Sequence, residues 1–124
     1  HKTIKLFINE TKDKIHDFIS PLIKDGKKIA AYGTSTGATT FSFNYELGKS
    51  LSFFVDDDEF RHGLLSPFYK IPVVSSKKIK AEKPGAIIIL APLYADNIIK
   101  KNKDYLSDGG KFIKFWPKFE VVSN

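Results

Sequence analysis

An apolar run, Lys28-Ile29-Ala30-Ala31-Tyr32, breaks into Gly33-Thr34-Ser35-Thr36-Gly37, and a helix-compatible segment follows. A second apolar run, Leu51-Ser52-Phe53-Phe54-Val55, then ends in Asp56-Asp57-Asp58. This is the outline of a βαβ unit whose first turn can hold an anion. Glycine permits the tight turn and the close approach of a ligand to backbone. Amides at the start of the following helix favour negative charge. The pattern narrows fold and ligand class together, without naming a reaction.

The rest of the chain repeats the alternation. Ile4, Phe7, Ile8, Ile15, Phe18, Ile19 and Leu22 recur near helical spacing, which predicts a helix over 3–25. Pro21 should break or kink its late part, and Asp25-Gly26 should close it. A strand at 28–32 should lead to a helix over 36–47 ending at Gly48. After the strand at 51–55 comes a polar loop from Asp56 to Gly63, then the extended piece Ile71-Pro72-Val73-Val74. Ser75-Ser76 should cap a short helix near 77–82. Ala86-Ile87-Ile88-Ile89-Leu90-Ala91, apolar on both faces, predicts a central parallel strand. A helix over 94–106, ended by Gly109-Gly110, and a last strand over 111–115 complete the set. The expected fold is therefore α/β: a mostly parallel sheet in a three-layer sandwich, preceded by an N-terminal helix. Ligands of such sheets sit beyond the carboxyl ends of the strands, so the loops 33–37, 56–69 and 91–94 should gather at one edge.

At 124 residues the chain reads as one domain, with a lead-in helix at 1–26 and an α/β core at 27–120. It contains no cysteine, which excludes disulfides, thiol catalysis and cysteine-bound zinc within it. That fits a reducing compartment, and a cytoplasmic location is expected. No apolar run approaches the roughly 20 residues that cross a bilayer, so no membrane partner is expected. The chain also lacks methionine and begins with His1, so it reads as a piece of a longer polypeptide. Its net charge is +6, carried by dispersed lysines, and Arg61 is its one arginine. Nucleic-acid readers rely on arginine forks, so no nucleic-acid partner is expected.

The candidate binding residues are Gly33, Thr34, Ser35, Thr36, Gly37 and Asp56. The glycine loop suits a phosphate, although Gly-x-x-x-Gly is not the full dinucleotide signature. It also formally matches Gly-x-Ser-x-Gly, but the domain is too short for a hydrolase with that elbow, and His62 follows Asp58 too closely. An acid at the end of the second strand can accept ribose hydroxyls, and Asp56 stands near the expected spacing of roughly 20 positions. Asp57 and Asp58 read as turn-forming residues. His1, His16 and His62 are scattered and make no metal site. Among the aromatics, Phe68, Tyr69 and Tyr94 fall in loops or at a helix start, where one can stack on a base or sugar. No residue reads as catalytic.

Several short motifs stand in a shared order: Ala31-Tyr32-Gly33-x-Ser35-x-Gly37, Asn44, Val55-Asp56-Asp57, Arg61-His62-Gly63 and Ile71-Pro72-Val73. Lys83-Pro84, Leu90-Ala91-x-x-Tyr94-Ala95 and Gly109-Gly110-Lys111-Phe112-Ile113 follow. The set resembles the C-terminal domain of the sugar C-methyltransferases over roughly residues 1–120. Pro92-Leu93 departs from the Trp-Asn of that family, and the 64–70 loop lacks its glycine. The resemblance implies a Rossmann-like module that helps hold a nucleotide-sugar. It also implies that S-adenosylmethionine, zinc and the catalytic base belong to other parts of a longer enzyme, so this chain alone has no cofactor and no methyl-transfer activity. Its partners would be the nucleotide-sugar and the rest of its own polypeptide. Two alternatives remain on the residues alone: a stand-alone NAD- or CoA-type binding module, or a structural or assembly domain docking through its first helix.

Overall fold

The computed structural model describes residues 3–33, 45–66 and 70–124. Helix α1 (Ile4–Lys24) starts at Thr3, whose hydroxyl accepts a hydrogen bond from the Leu6 amide at 3.1 Å. The predicted break at Pro21 does not occur, and the helix runs on to Lys24. Proline in the last turn forfeits one hydrogen bond, and the carbonyl it strands belongs to Asp17, an exposed residue that water can serve.

The sheet follows from short, buried, branched runs. Its strands are β1 (Ile29–Tyr32), β2 (Phe53–Val55), β3 (Val73–Val74), β4 (Ala86–Ile89), β5 (Phe112–Lys114) and β6 (Glu120–Val122). They lie in the order β3-β2-β1-β4-β5-β6. The first five are parallel, and β6 returns antiparallel against β5 with Ile113 opposite Val121. This is the doubly wound Rossmann order, with its reversal between β1 and β4. The added edge strand β6 is unforeseen in the sequence, where Glu120-Val121-Val122 is too short to show a period.

Alternate strand residues feed two cores, as the pleat requires. On one face Ile29, Ala31, Ile88 and Ile113 meet Ile15 and Ile19 of α1, all fully buried. The opposite face sets Ala30, Tyr32, Ile87 and Phe112 against helices α2 (Lys78–Glu82), α3 (Ala95–Lys101) and α4 (Lys103–Ser107). Their inward residues are Ile79, Ala95, Ile98 and Tyr105. The N-terminal helix is thus one layer of the sandwich, and the three-layer α/β expectation holds.

Local boundaries differ from expectation in three places. The predicted helix over 36–47 falls at 36–44 outside the described residues, while 45–50 run as turns, so Gly48 caps no helix there. The Ser75 hydroxyl accepts from the Lys77 amide at 3.2 Å, one turn ahead of α2, and α2 itself starts without a side-chain cap. The single helix expected over 94–106 is instead a 3-10 turn (Pro92–Tyr94) followed by α3 and α4, divided at Asn102. There the Asn102 side-chain amide donates back to the Ile98 carbonyl at 2.8 Å, which competes with helix continuation.

Candidate functional site

An open crevice of about 330 Å³ lies at the carboxyl edge of the sheet, where the strand order reverses. Its floor is the last residue of β1, Tyr32, then Gly33 and Ala91. One wall is the loop after β2, with Asp56, Asp57, Asp58 and Arg61. The other wall is Tyr94 with Asn97 and Ile98 of α3. The described parts of the three loops singled out in the sequence therefore do meet at one edge.

Gly33 has φ +111°, a backbone state that side chains rarely adopt. A Cβ there would sit 3.6 Å from the Ala91 Cβ, an ordinary contact, so conformation rather than crowding requires the glycine. The Gly33 amide donates to the Val55 carbonyl at 2.7 Å. It extends the β1–β2 ladder and is not offered to a ligand. Thr34, Ser35, Thr36 and Gly37 lie outside the described residues.

The acidic wall is organised by its own turns. Asp56 Oδ1 accepts from the Asp58 amide at 2.8 Å, and Asp58 Oδ1 accepts from the Phe60 amide at 3.0 Å. That second bond starts the 3-10 turn Glu59–Arg61. Arg61 reaches back, with its guanidinium 3.9 Å from Asp56 Oδ2 and 3.5 Å from Asp58 Oδ2. His62 donates from Nε2 to the Asp56 carbonyl at 2.7 Å, since a carbonyl can only accept. It stabilises the turn and is absent from the crevice lining. Asp56 is thus both a crevice-lining carboxylate, 15% exposed, and the organiser of its turn.

Asp57 does something sequence reading missed. Its Oδ1 accepts from the Tyr32 hydroxyl at 2.7 Å, and its Oδ2 pairs with Lys101 Nζ at 2.7 Å. Asn102 Nδ2 adds a 3.3 Å contact to the Tyr32 oxygen. The carboxylate therefore ties β1, the β2 loop and the end of α3 into one frame. Burial pushes the Tyr32 phenol up to about 12, with the Asp57 charge adding to that effect. No local signal marks Asp57, because its partners stand 25 and 44 positions away in the chain. Among the described residues no group of three His, Cys, Asp or Glu is placed to hold a metal ion. Among the described residues no helix is long and apolar enough to cross a membrane.

Comparison with known proteins agrees with this architecture. Residues 2–117 match the family model of the C-methyltransferase C-terminal domain. The C-methyltransferase NovU of Streptomyces niveus is 30% identical over 111 residues, covering 89% of this chain and 26% of that protein. The chain thus spans about a quarter of that curated relative's length. The crystal structure of UDP-D-quinovosamine 4-dehydrogenase from Vibrio fischeri superposes with a TM-score of 0.51 at 18% identity. That match covers 78% of this chain and 93% of the other, and at this identity it speaks to the fold.

Proposed function

This chain belongs to the C-methyltransferase C-terminal domain family, and from that premise we propose that its crevice holds a nucleotide-sugar for methylation by a longer enzyme. On this reading S-adenosylmethionine and the catalytic base belong to other parts of that enzyme, and residues 1–124 act as one substrate-side domain. The observation that carries the reading is position. The crevice lies at the topological switch point of a Rossmann sheet, with a carboxylate at the end of β2 facing it. Ligands of open α/β sheets bind at such points, and an acid there accepts hydroxyl hydrogen bonds. Asp56 is the hydroxyl-binding residue on this proposal, and a phosphate-binding role for Thr34, Ser35, Thr36 and Gly37 is proposed from the sequence alone.

The crevice would also suit the ribose of NAD, so the test must separate the two. Titration calorimetry of the chain with UDP-glucose, NAD, coenzyme A and S-adenosylmethionine should give heat with the nucleotide-sugar alone. Tight NAD binding with no response to UDP-glucose would replace this reading with a dinucleotide module. No thermal shift with any of the four at saturating concentration would favour an assembly domain.

A further inference from the structure

We infer that the amino-terminal end of α1, together with Trp116, is the surface on which the preceding part of the longer enzyme docks; this rests on the reading above that residues 1–124 are one domain of such an enzyme. Lengths set the geometry. Helix α1 has 21 residues and is about 30 Å long, whereas β1 has four and spans about 13 Å. The helix therefore outruns the strand it covers. Its carboxyl end is fixed at the amino edge of the sheet. There the Lys27 amide donates to the Leu22 carbonyl at 2.9 Å, and the Gly85 amide, just ahead of β4, donates to the Lys28 carbonyl at 2.8 Å. The excess length thus overhangs the carboxyl edge. Exposure along the inward stripe changes accordingly: Ile19 and Ile15 are fully buried, Ile8 is partly buried, and Ile4 is 80% exposed. Trp116 extends this surface. It follows β5 at the same edge, is 53% exposed, and meets the Phe7 ring edge-on with centroids 5.7 Å apart. Neither ring belongs to the two buried cores. Apolar side chains gathered in water mark an interaction surface, and aromatic rings are the residues that interfaces enrich. The occupant follows from the order of the chain. The matched family is a C-terminal domain, and this chain covers 26% of the C-methyltransferase NovU, so on this reading most of the enzyme lies ahead of residue 1. It then enters at the end of α1 that carries Ile4. A neighbour tethered so close has a high effective concentration at the patch, an advantage that a second copy of the chain lacks.

The test is hydroxyl-radical footprinting, read by mass spectrometry, of the 124-residue chain and of the full-length enzyme. Oxidation of Phe7 and Trp116 should fall about fivefold or more in the full-length enzyme, because an interface core excludes solvent as a protein interior does. Ile23, 42% exposed at the amino edge, should react equally in both. Ile4→Asp in the full-length enzyme should return Trp116 oxidation towards its value in the 124-residue chain. That substitution spares the fold, since Ile4 already stands in water and an acid suits the first turn of a helix. The melting temperature of the 124-residue chain carrying it should therefore be unchanged. Equal Trp116 oxidation in the two proteins, or protection that Ile4→Asp leaves intact, would overturn the docking surface while the nucleotide-sugar reading stands. A 124-residue chain that sediments as a dimer with Trp116 already protected would overturn it in favour of a second copy. If the reading frame ahead of residue 1 encodes no further domain, the longer-enzyme reading itself falls, and this inference with it.

Discussion

Replacing Tyr32 by phenylalanine isolates one oxygen. The ring stays, so the core on that face keeps its volume and no cavity opens. What is lost is a 2.7 Å hydrogen bond to the Asp57 carboxylate, a 3.3 Å contact from Asn102 and a hydrogen bond with the Ser76 side chain. Asn102 keeps its 2.8 Å bond to the Ile98 carbonyl, so the second loss is small. Asp57 is partly exposed and keeps Lys101, so water can replace the missing donor. A hydrogen bond to a charged group contributes about 1.5–3 kcal/mol, and this one belongs at the low end, near 1.5 kcal/mol. For a domain of this size that lowers the melting temperature by roughly 5 °C, read by circular dichroism at neutral pH. The pH dependence provides an independent check. Burial raises both Tyr32 and Tyr105 to about 12, whereas an unfolded tyrosine titrates near 10. Below pH 10 both states keep the proton, and the stability is fully present. Between pH 10 and 12 only the unfolded chain ionises, so stability falls as pH rises. Tyr32→Phe should make that fall shallower by removing one of the raised groups, which also include Tyr45. An unchanged melting temperature, or an identical slope above pH 10, would refute the claim that this oxygen braces the crevice.

Two glycine substitutions separate strain from crowding. Gly33→Ala leaves room for its methyl against Ala91, so its cost should come from the +111° torsion alone, about 1–3 kcal/mol in chemical denaturation. Gly110→Ala puts a methyl 2.3 Å from the Tyr105 ring, whose hydroxyl is anchored to the Pro84 carbonyl at 2.9 Å. The ring cannot retreat without breaking that bond, so destabilisation should reach or exceed about 3 kcal/mol, and Tyr105→Ala in the same chain should relieve part of it.

The sheet was legible because its strands announce themselves. Ala86 to Ile89 is buried on both faces and reads as a central strand, which it is. The glycine turn after β1 and the acid after β2 likewise predict the edge at which the crevice forms. Boundaries were less legible where a side chain competes with backbone, as Asn102 does in splitting α3 from α4. Pro21 misleads because its penalty depends on whether water reaches the stranded carbonyl, which is a tertiary property. Asp57 has the sequence signature of a turn residue, yet Tyr32 and Lys101 bind it from distant parts of the chain. Asn97 carried no sequence signal at all; only the packing of α3 beside the end of β4 brings its amide to the crevice.

The most direct measurement is a nitrogen-15 NMR titration of the isotopically labelled chain with UDP-glucose. Saturable shifts should concentrate at the amides of Gly33, Asp56, Asp57, Asp58, Ala91 and Asn97, on both walls of the crevice. A saturating titration that leaves those amides unmoved, or that shifts residues at the opposite edge of the sheet instead, would contradict the account.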